Sequence, residues 1–163
     1  MKPKNFKMPM AFVFLLALLF ISNVVLAATH NISLSAETLP NGQFAYKMGN
    51  HSSSDGASNN YSADAVIPGP TLFVKTGDTI NVSLTNNTAV KVGFNIPGLS
   101  TDSSEASPGQ TKSYTIVANK QGTHPYFDEG SQLLGLFGAL VVDNTDGSVQ
   151  SLVEEDGAIK AVK

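Results

Sequence analysis

The sequence contains no cysteine and no arginine among its 163 residues. Without cysteine the chain cannot form a disulfide, so its stability must come from packing and from backbone hydrogen bonds. Without arginine it lacks the planar, bidentate donor that proteins commonly use to bind phosphate and carboxylate groups. Together with the formal net charge of −3, these absences argue against a nucleic-acid-binding protein.

Long apolar runs are also scarce. One covers residues 11–21, which is about half of the roughly 20 residues that a membrane-spanning helix needs. Three lysines precede this run and the small-residue sequence Val25-Leu26-Ala27 follows it, which is the layout of a secretory signal peptide. We therefore expect residues 1–27 to be removed and the mature chain to be exported, to the periplasm or outside the cell, without stable membrane insertion. An uncleaved anchor is the alternative.

The chain after residue 28 lacks any long amphipathic helical pattern. Short β-rich runs alternate instead with clusters of turn-forming residues, a pattern typical of an all-β sandwich or barrel. Residues 78–85 alternate most cleanly, because Ile80, Val82 and Leu84 fall on one predicted face and polar side chains on the other. The predicted strands are residues 31–39, 44–48, 63–67, 71–75, 78–85, 90–95, 111–117, 122–127 and 136–142.

The predicted mature chain is long enough for one domain with a core of its own. Removal of 27 residues from 163 leaves 136, a length that needs neither disulfides nor metal for stability. We expect a single β-domain over residues 28–145, with a polar loop at 49–62 and a tail or peripheral strand at 146–163. The mature charge is about −6 because three of the ten lysines lie in the leader and all thirteen acidic residues lie after it.

Four motifs follow one another along the chain. They are residues 67–80 (IPGPTLFVKTGDTI) with the strand end 86–87 (NN), residues 107–111 (SPGQT), residues 122–126 (GTHPY) and residues 135–142 (GLFGALVV). These motifs resemble the cupredoxin domains of the multicopper oxidase family. That family has a Pro-Gly-Pro-Thr turn, a strand, a Gly-Asp turn and an alternating strand that ends in Asn-Asn. It also has a second Pro-Gly turn before a strand, a Gly-Thr-x-x-Tyr motif and an apolar closing strand.

The resemblance implies an all-β fold, a cupredoxin-like Greek-key β-sandwich or barrel of about seven to eight strands, similar to the type 3 N-terminal domain of these oxidases. Prolines such as Pro68 and Pro70 and glycines such as Gly77 and Gly109 form turns in any sandwich, whether or not it binds metal. The motifs therefore predict a fold, and a fold alone does not determine a function.

The copper ligands that the resemblance implies are missing. A blue copper centre needs two histidines and a cysteine thiolate, and the chain has no cysteine. The family's other copper sites use pairs of histidines one residue apart. The equivalent positions here are Phe94 and Ile96 in the first motif, and Phe127 and Glu129 in the second. We expect the apolar residues to fill the space of the ligands and the metal, and we expect no oxidase activity from this chain alone.

Two other groups of residues are candidate metal sites. His124, Asp128 and Glu129 offer one imidazole and two carboxylates, although the simpler interpretation is a solvated acidic loop with a histidine at its rim. His51 is predicted to be exposed in the polar loop. If cleavage follows Ala27, the mature chain begins Ala28-Thr29-His30, whose amine, two amides and imidazole can form the four-nitrogen set that Cu(II) and Ni(II) prefer.

The sequence thus favours an exported, non-catalytic cupredoxin-like module that binds an unidentified protein partner or a second copy of itself, with no cofactor. The alternative is a copper-handling protein that uses Ala28-Thr29-His30 or a site shared with a partner. A third hypothesis is an enzyme that uses His124 with Asp128 or Glu129.

Overall fold

The computed structural model describes residues 26–56, 64–100 and 102–144, together with the backbone of residues 151–155 and 158–162. The predicted signal peptide lies almost wholly outside these ranges, so it stays a prediction, as do the domain boundaries. Within the described residues, no helix has the length and hydropathy needed to cross a membrane.

The described residues form nine β-strands and one 3₁₀ turn, at Gln132–Leu134. This confirms the predicted all-β class. The strands are β1 (Thr29–Thr38), β2 (Phe44–Ser53), β3 (Leu72–Lys75), β4 (Thr79–Asn86), β5 (Thr111–Val117), β6 (Gly122–Phe127), β7 (Phe137–Asp143), β8 (Ser151–Glu155) and β9 (Ala158–Val162).

Two sheets form the sandwich. The four-stranded sheet has the order β2-β1-β4-β5, in which β1 runs parallel to β4 and the other two pairings are antiparallel. The three-stranded sheet has the order β3-β7-β6, in which β7 runs parallel to β3 and antiparallel to β6. The chain crosses from one sheet to the other between β3 and β4, through a turn that contains Gly77 and Asp78.

The core lies between the inner faces of the two sheets. On β4 the buried side chains are Ile80, Val82 and Leu84, as the alternating sequence predicts. On β7 they include Leu140 and Val142, which face inward from the opposite sheet. Successive side chains of a strand point to opposite faces, so the residues between these positions form the outer faces.

The outer face of the four-stranded sheet is polar and uncharged at its centre. Asn31, Asn81 and Thr115 lie side by side on β1, β4 and β5. The hydroxyl group of Thr115 donates to Asn81 Oδ1 over 3.0 Å, and Asn81 Nδ2 donates to Asn31 Oδ1 over 3.1 Å. The next row consists of Ser33, Ser83 and Ser113. The amide and hydroxyl groups of this face can form hydrogen bonds with water, so the face is suited to contact with solvent.

The outer face of the three-stranded sheet is apolar. Phe73 of β3 pairs with Val141 of β7, and Pro125 of β6 pairs with Ala139. Phe137, at the start of β7, shares the face with Val141 because the two are four residues apart on one strand. Phe73 is 56% exposed and Phe137 is 38% exposed. We call this surface, made of Phe73, Pro125, Phe137, Ala139 and Val141, the apolar outer face.

Three predicted boundaries are wrong. The loop predicted at 49–62 begins later, because β2 continues to Ser53 as an edge strand that pairs residues 50–53 with β1. The strands predicted at 63–67 and 90–95 shrink to isolated bridges, Tyr46 with Val66, Val92 with Ala106 and Asn95 with Phe127. Each of these segments is apolar enough to resemble a strand, but it contacts its neighbour at single residues.

The C-terminal segment, predicted as a tail or peripheral strand, contains a hairpin in its described backbone. Residues of β8 pair antiparallel with those of β9, from Ser151 opposite Val162 to Glu155 opposite Ala158. The two strands form a sheet of their own.

Candidate functional site

The two loops that correspond to the family's ligand motifs meet at one end of the sandwich. The backbone N–H of Asn95 donates to the carbonyl oxygen of Phe127 over 2.9 Å, and the N–H of Phe127 donates to that of Asn95 over 3.0 Å. This reciprocal pair places the Phe94–Ile96 segment against the end of β6. The residues of the two motifs are therefore neighbours, as the resemblance implies.

Apolar side chains fill this end of the core. Phe94 is 1% exposed and Ile96 is fully buried, which confirms the predicted repacking at these two positions. The Phe94 ring lies 5.0 Å from the ring centre of Tyr126, 5.9 Å from that of Tyr114 and 6.3 Å from that of Tyr46. Tilted and edge-on aromatic contacts at these distances stabilise a core beyond the area they bury.

Asp128 is buried, so the prediction that it faces solvent is wrong. The residue is only 2% exposed, because it continues the inward alternation of His124 and Tyr126 along β6. Its N–H donates to the carbonyl oxygen of Leu136. Oδ1 accepts the N–H of Gly93 over 2.6 Å, whereas Oδ2 has no hydrogen-bond partner among the described residues. The carboxylate therefore joins the two loops between which the family's copper ligands would lie.

The charge of Asp128 raises the pKa of a neighbouring tyrosine, Tyr46. Tyr46 Oη donates to the carbonyl oxygen of Gly93 over 2.8 Å. Burial raises the pKa of Tyr46 well above its usual value of 10, and the nearby Asp128 carboxylate raises it further. The phenol therefore stays protonated and acts as a fixed donor beneath the Gly93 loop.

Glu129 and His124 have separate environments. Glu129 is exposed, as predicted, and Oε1 accepts from Asn95 Nδ2 over 2.9 Å. His124 is buried on the inner face of β6, where Nε2 donates to the carbonyl oxygen of Lys120 over 2.9 Å. It is thus not the rim histidine that we expected. Within the described ranges no three His, Cys, Asp or Glu residues are grouped so as to hold a metal ion, and His124, Asp128 and Glu129 are not brought together.

The residues at this end do not fit the copper that the family implies. Copper of the family's kind needs imidazole or thiolate donors, and Phe94 and Ile96 supply none. The adjoining cleft measures about 40 Å³. Its lining residues are Gly93, Phe94, Asn95, Ser103, Glu105, Phe127, Asp128 and Glu129.

Ala28, Thr29 and His30 lie at the opposite end of the sandwich, at the beginning of β1. The Ala28 N–H donates to Asp78 Oδ1 over 2.7 Å, and the Thr29 N–H donates to Ser54 Oγ over 2.9 Å. His30 is 2% exposed and its Nε2 lies 3.0 Å from Asp78 Oδ2. A four-nitrogen chelate around one ion would require this segment to leave the sheet, since these nitrogens already have other partners.

The structure reveals a cluster that the sequence reasoning missed. His51 is not in an exposed loop; it lies on β2, opposite Ile32 of β1, and is partly buried. Its Nε2 is 3.1 Å from His30 Nδ1. Asp78, His30 and His51 therefore form a continuous hydrogen-bonded chain. A signal was available, because His30 extends the inward alternation of Ile32 and Leu34, but nothing in the sequence placed His51 beside it.

Asp78 is the anchor of this cluster. Its Oδ2 also accepts the N–H of Lys75 over 2.7 Å, and its carbonyl oxygen accepts the N–H of Ala118 over 2.8 Å. The residue is 2% exposed. One carboxylate thus links the start of β1 to the end of β3, while the backbone of the same residue contacts the end of β5.

Stability should depend on the protonation of His51. Burial lowers its pKa from the usual 6.5, neighbouring His30 lowers it further, and Asp55 acts in the opposite direction; Asp78 lies beyond His30 in the same cluster. Between the lowered pKa and 6.5 the unfolded chain binds more protons than the folded chain. The free energy of unfolding should therefore be highest above pH 6.5 and should fall as the pH drops towards the lowered pKa.

Denaturant unfolding between pH 8 and pH 5 measures this effect. The variant His51→Ala should show a flatter pH dependence than the wild type over the same interval. An unchanged slope in the variant would contradict the assignment.

A family profile for multicopper oxidase matches residues 45–147, which is more than half of the 163 residues. L-ascorbate oxidase of Brassica rapa subsp. pekinensis is 35% identical over 100 residues, which cover 52% of this chain and 18% of that protein. The chain thus spans less than a fifth of the length of this curated relative.

Solved structures share the fold. A multicopper oxidase from Pseudomonas thermotolerans matches with a TM-score of 0.57 at 20% identity, covering 83% of this chain and 37% of that one. Copper nitrite reductase from Nitrosomonas europaea matches with a TM-score of 0.52 at 23% identity, covering 74% and 44%. These likenesses identify the two packed sheets as a cupredoxin-like sandwich. The profile match over most of that sandwich establishes that the chain belongs to the multicopper oxidase family.

Proposed function

We propose that this chain is an exported, non-catalytic cupredoxin-like module that binds a protein partner or a second copy of itself through the apolar outer face. The observation that carries the proposal is the exposure of Phe73 and Phe137 on a sheet face that has no charged residue at its centre. Export is supported by the signal-peptide pattern of residues 1–27.

The composition of the apolar outer face supports a docking role. Contiguous exposed apolar patches on soluble proteins commonly mark interaction sites, whereas single exposed apolar residues do not. Besides the face itself, the adjoining 3₁₀ turn exposes Leu133 to 93% and Leu134 to 47%. Lys75 and Asp143 pair at the end of β3 and β7 and give the surface a polar rim. An apolar centre with a polar rim is the usual anatomy of a protein interface.

The repacked end supports the absence of oxidase chemistry. Phe94 and Ile96 occupy the first pair of ligand positions and belong to the core, so copper could not enter without displacing side chains that stabilise the fold. The Asp128 carboxylate holds the two loops together through Gly93 instead.

The alternative, copper handling through Ala28-Thr29-His30, has less support. The nitrogens of that segment donate to Asp78 and Ser54 or lie within the β1 strand. A copper site shared with a partner would need the partner to supply every missing histidine at the Phe94 end.

The double variant Phe73→Ser/Phe137→Ser tests the proposal. Truncation of a central aromatic anchor typically costs 2 kcal/mol or more of binding free energy, which is about a thirtyfold loss of affinity. We expect wild-type protein, purified from its native compartment, to self-associate or to retain a partner in sedimentation and cross-linking measurements. The double variant should sediment as a monomer without the partner.

The matched control is Ser83→Ala/Ser113→Ala on the polar outer face, which should leave association unchanged. A wild-type protein that is monomeric and partner-free at high concentration would refute the proposal. So would a double variant that associates as strongly as the wild type.

A further inference from the structure

We propose that the apolar outer face binds a second copy of this chain, across a twofold axis that runs along the strands between β3 and β7. Lys75 of each copy then lies opposite Asp143 of the other. The inference rests on the function proposed above, because it names the partner of the same face. It is carried by the charges at the rim, which are complementary to themselves, and by the uneven distribution of polar and apolar residues along the strands.

Aromatic and charged side chains lie at opposite ends of the surface that the apolar outer face and its rim form. β3 runs parallel to β7, so that Phe73 pairs with Val141, and Lys75 pairs with Asp143 in the next outward-facing row. Phe137 begins β7 and Asp143 ends it. Along the strand direction the surface therefore changes from aromatic to charged.

This change along the strands selects the direction of the twofold axis. Two sheets that pack face to face keep their strands within about 30° of each other, so the axis runs either along the strands or across them. An axis along the strands places the charged end of one copy on the charged end of the other. An axis across them would place Lys75 and Asp143 on the aromatic end of the second copy, where their charges would lose water without gaining an ionic partner.

The order of the strands fixes the position of the axis. Rotation about an axis midway between β3 and β7 places β3 of each copy over β7 of the other. Phe73 then faces Val141 of the second copy, and Lys75 faces its Asp143. An axis along β7 itself would bring the two Asp143 carboxylates together, which like charges oppose. An axis nearer β6 would leave Lys75 outside the contact.

Both rim residues can form the contact between copies. The Lys75 side chain is 53% exposed, and its Nζ lies 3.9 Å from Asp55 Oδ2, which is too long for a hydrogen bond. Asp143 Oδ1 accepts the N–H of Asn144 over 2.7 Å, and a carboxylate has about four acceptor positions, so it can also accept from a lysine. Packed sheets lie about 10 Å apart, a gap that an extended lysine and an aspartate can bridge.

The affinity of the dimer should be modest. Aromatic side chains such as Phe73 and Phe137 dominate the binding free energy of an interface, whereas rim charges mainly fix its register. β7 has seven residues, and three strands of that length cover roughly 340 Å² in projection. A standard interface buries about 800 Å² on each partner, so we expect a dimer that dissociates in the micromolar range.

Complementary charge reversals test the register. Lys75→Asp makes both rim positions acidic and Asp143→Lys makes both basic, so each variant alone should dimerise at least about tenfold more weakly than the wild type. Mixed in equal amounts, the two should form a heterodimer of nearly wild-type affinity, because each contact again joins a lysine to an aspartate. Sedimentation of each variant and of the mixture measures both effects.

The matched control is Lys91→Asp, which makes the same charge change at an exposed lysine outside the three-stranded sheet. It should dimerise like the wild type. Far-UV circular dichroism and cooperative urea unfolding verify that each variant is folded.

A measurement on the wild type keeps the inference falsifiable if a charge-reversal variant does not fold. A mixture of ¹⁴N- and ¹⁵N-labelled chains is treated with a carbodiimide, which joins amines to carboxylates. Mass spectrometry should then find peptides that link Lys75 of one isotope to Asp143 of the other. The mixed isotopes are needed because these residues are also neighbours within one chain.

Three results would overturn the inference. The first is a wild type that stays monomeric at millimolar concentration, whether the face binds a different protein or is covered by another part of the chain. The second is a pair of charge reversals that each dimerise as tightly as the wild type, and the third is a mixture without heterodimers or mixed-isotope links. A monomeric wild type that retains a different partner, lost in Phe73→Ser/Phe137→Ser, would overturn the second copy alone and leave the function proposed above intact.

Discussion

Replacement of Asp78 by alanine should lower the free energy of unfolding by about 3–5 kcal/mol, the range for breaking a buried charged network. The substitution removes the acceptor of the Ala28 and Lys75 N–H groups and leaves His30 Nε2 without its partner. Buried donors left without an acceptor cost their full desolvation penalty. Equilibrium denaturation with urea, at a fixed pH above 7, measures the loss.

Two variants test whether the loss of stability comes from the hydrogen bonds of Asp78 or from the removal of a negative charge at any position. Asp78→Asn keeps one carbonyl oxygen and should fall between the wild type and Asp78→Ala. Glu129→Ala removes an exposed carboxylate whose Oε1 accepts from Asn95 Nδ2, and it should change stability by less than about 0.5 kcal/mol. Equal losses in Asp78→Ala and Glu129→Ala would show that Asp78 is not an anchor.

Replacement of Phe94 by alanine should cost about 3–5 kcal/mol of stability, the range for deleting a buried aromatic side chain. Phe94 contacts three tyrosine rings and is almost fully buried, so its removal leaves a cavity that the rigid rings cannot close. Thermal and chemical denaturation of the purified variant provide the measurement.

Phe73→Ala is the matched control, because it deletes the same side chain from a position that is 56% exposed. We expect it to change stability by less than about 1 kcal/mol and to weaken association through the apolar outer face instead. If Phe94→Ala is no more destabilising than Phe73→Ala, the ligand end of the sandwich is not a packed core.

Much of the fold could be predicted because the strands that bury one face alternate regularly. Ile80, Val82 and Leu84 on β4 and Tyr114 and Ile116 on β5 are all buried, as their spacing indicates. The end of β2 escaped prediction because Gly49 to Ser53 carries no apolar alternation. That segment is a strand because β1 supplies its hydrogen-bond partners, and pairing of this kind is a tertiary effect that local sequence does not encode.

The candidate sites were predicted unevenly for a similar reason. Phe94 and Ile96 could be assigned to the core from their apolar chemistry and their place in a motif. Asp128 could not, because an aspartate is normally exposed and its burial depends on the Gly93 N–H, 35 residues away along the chain. The contact of His30 with His51 likewise depends on the antiparallel register of β1 and β2, which neither residue reveals alone.

The contrast between the two outer faces limits how copies of this chain can assemble. Of the two outer sheet faces that the structure describes, only the apolar outer face is suited to burial against another protein, because the other is lined with hydroxyl and amide groups. If the partner is a second copy, the two apolar outer faces must pack against each other across a twofold axis. Each copy then buries the apolar outer face of the other, and the assembly is a closed dimer. Head-to-tail assembly into filaments would need a complementary apolar surface on the outer face that contains Asn81. The amide and hydroxyl groups of that face favour contact with water instead.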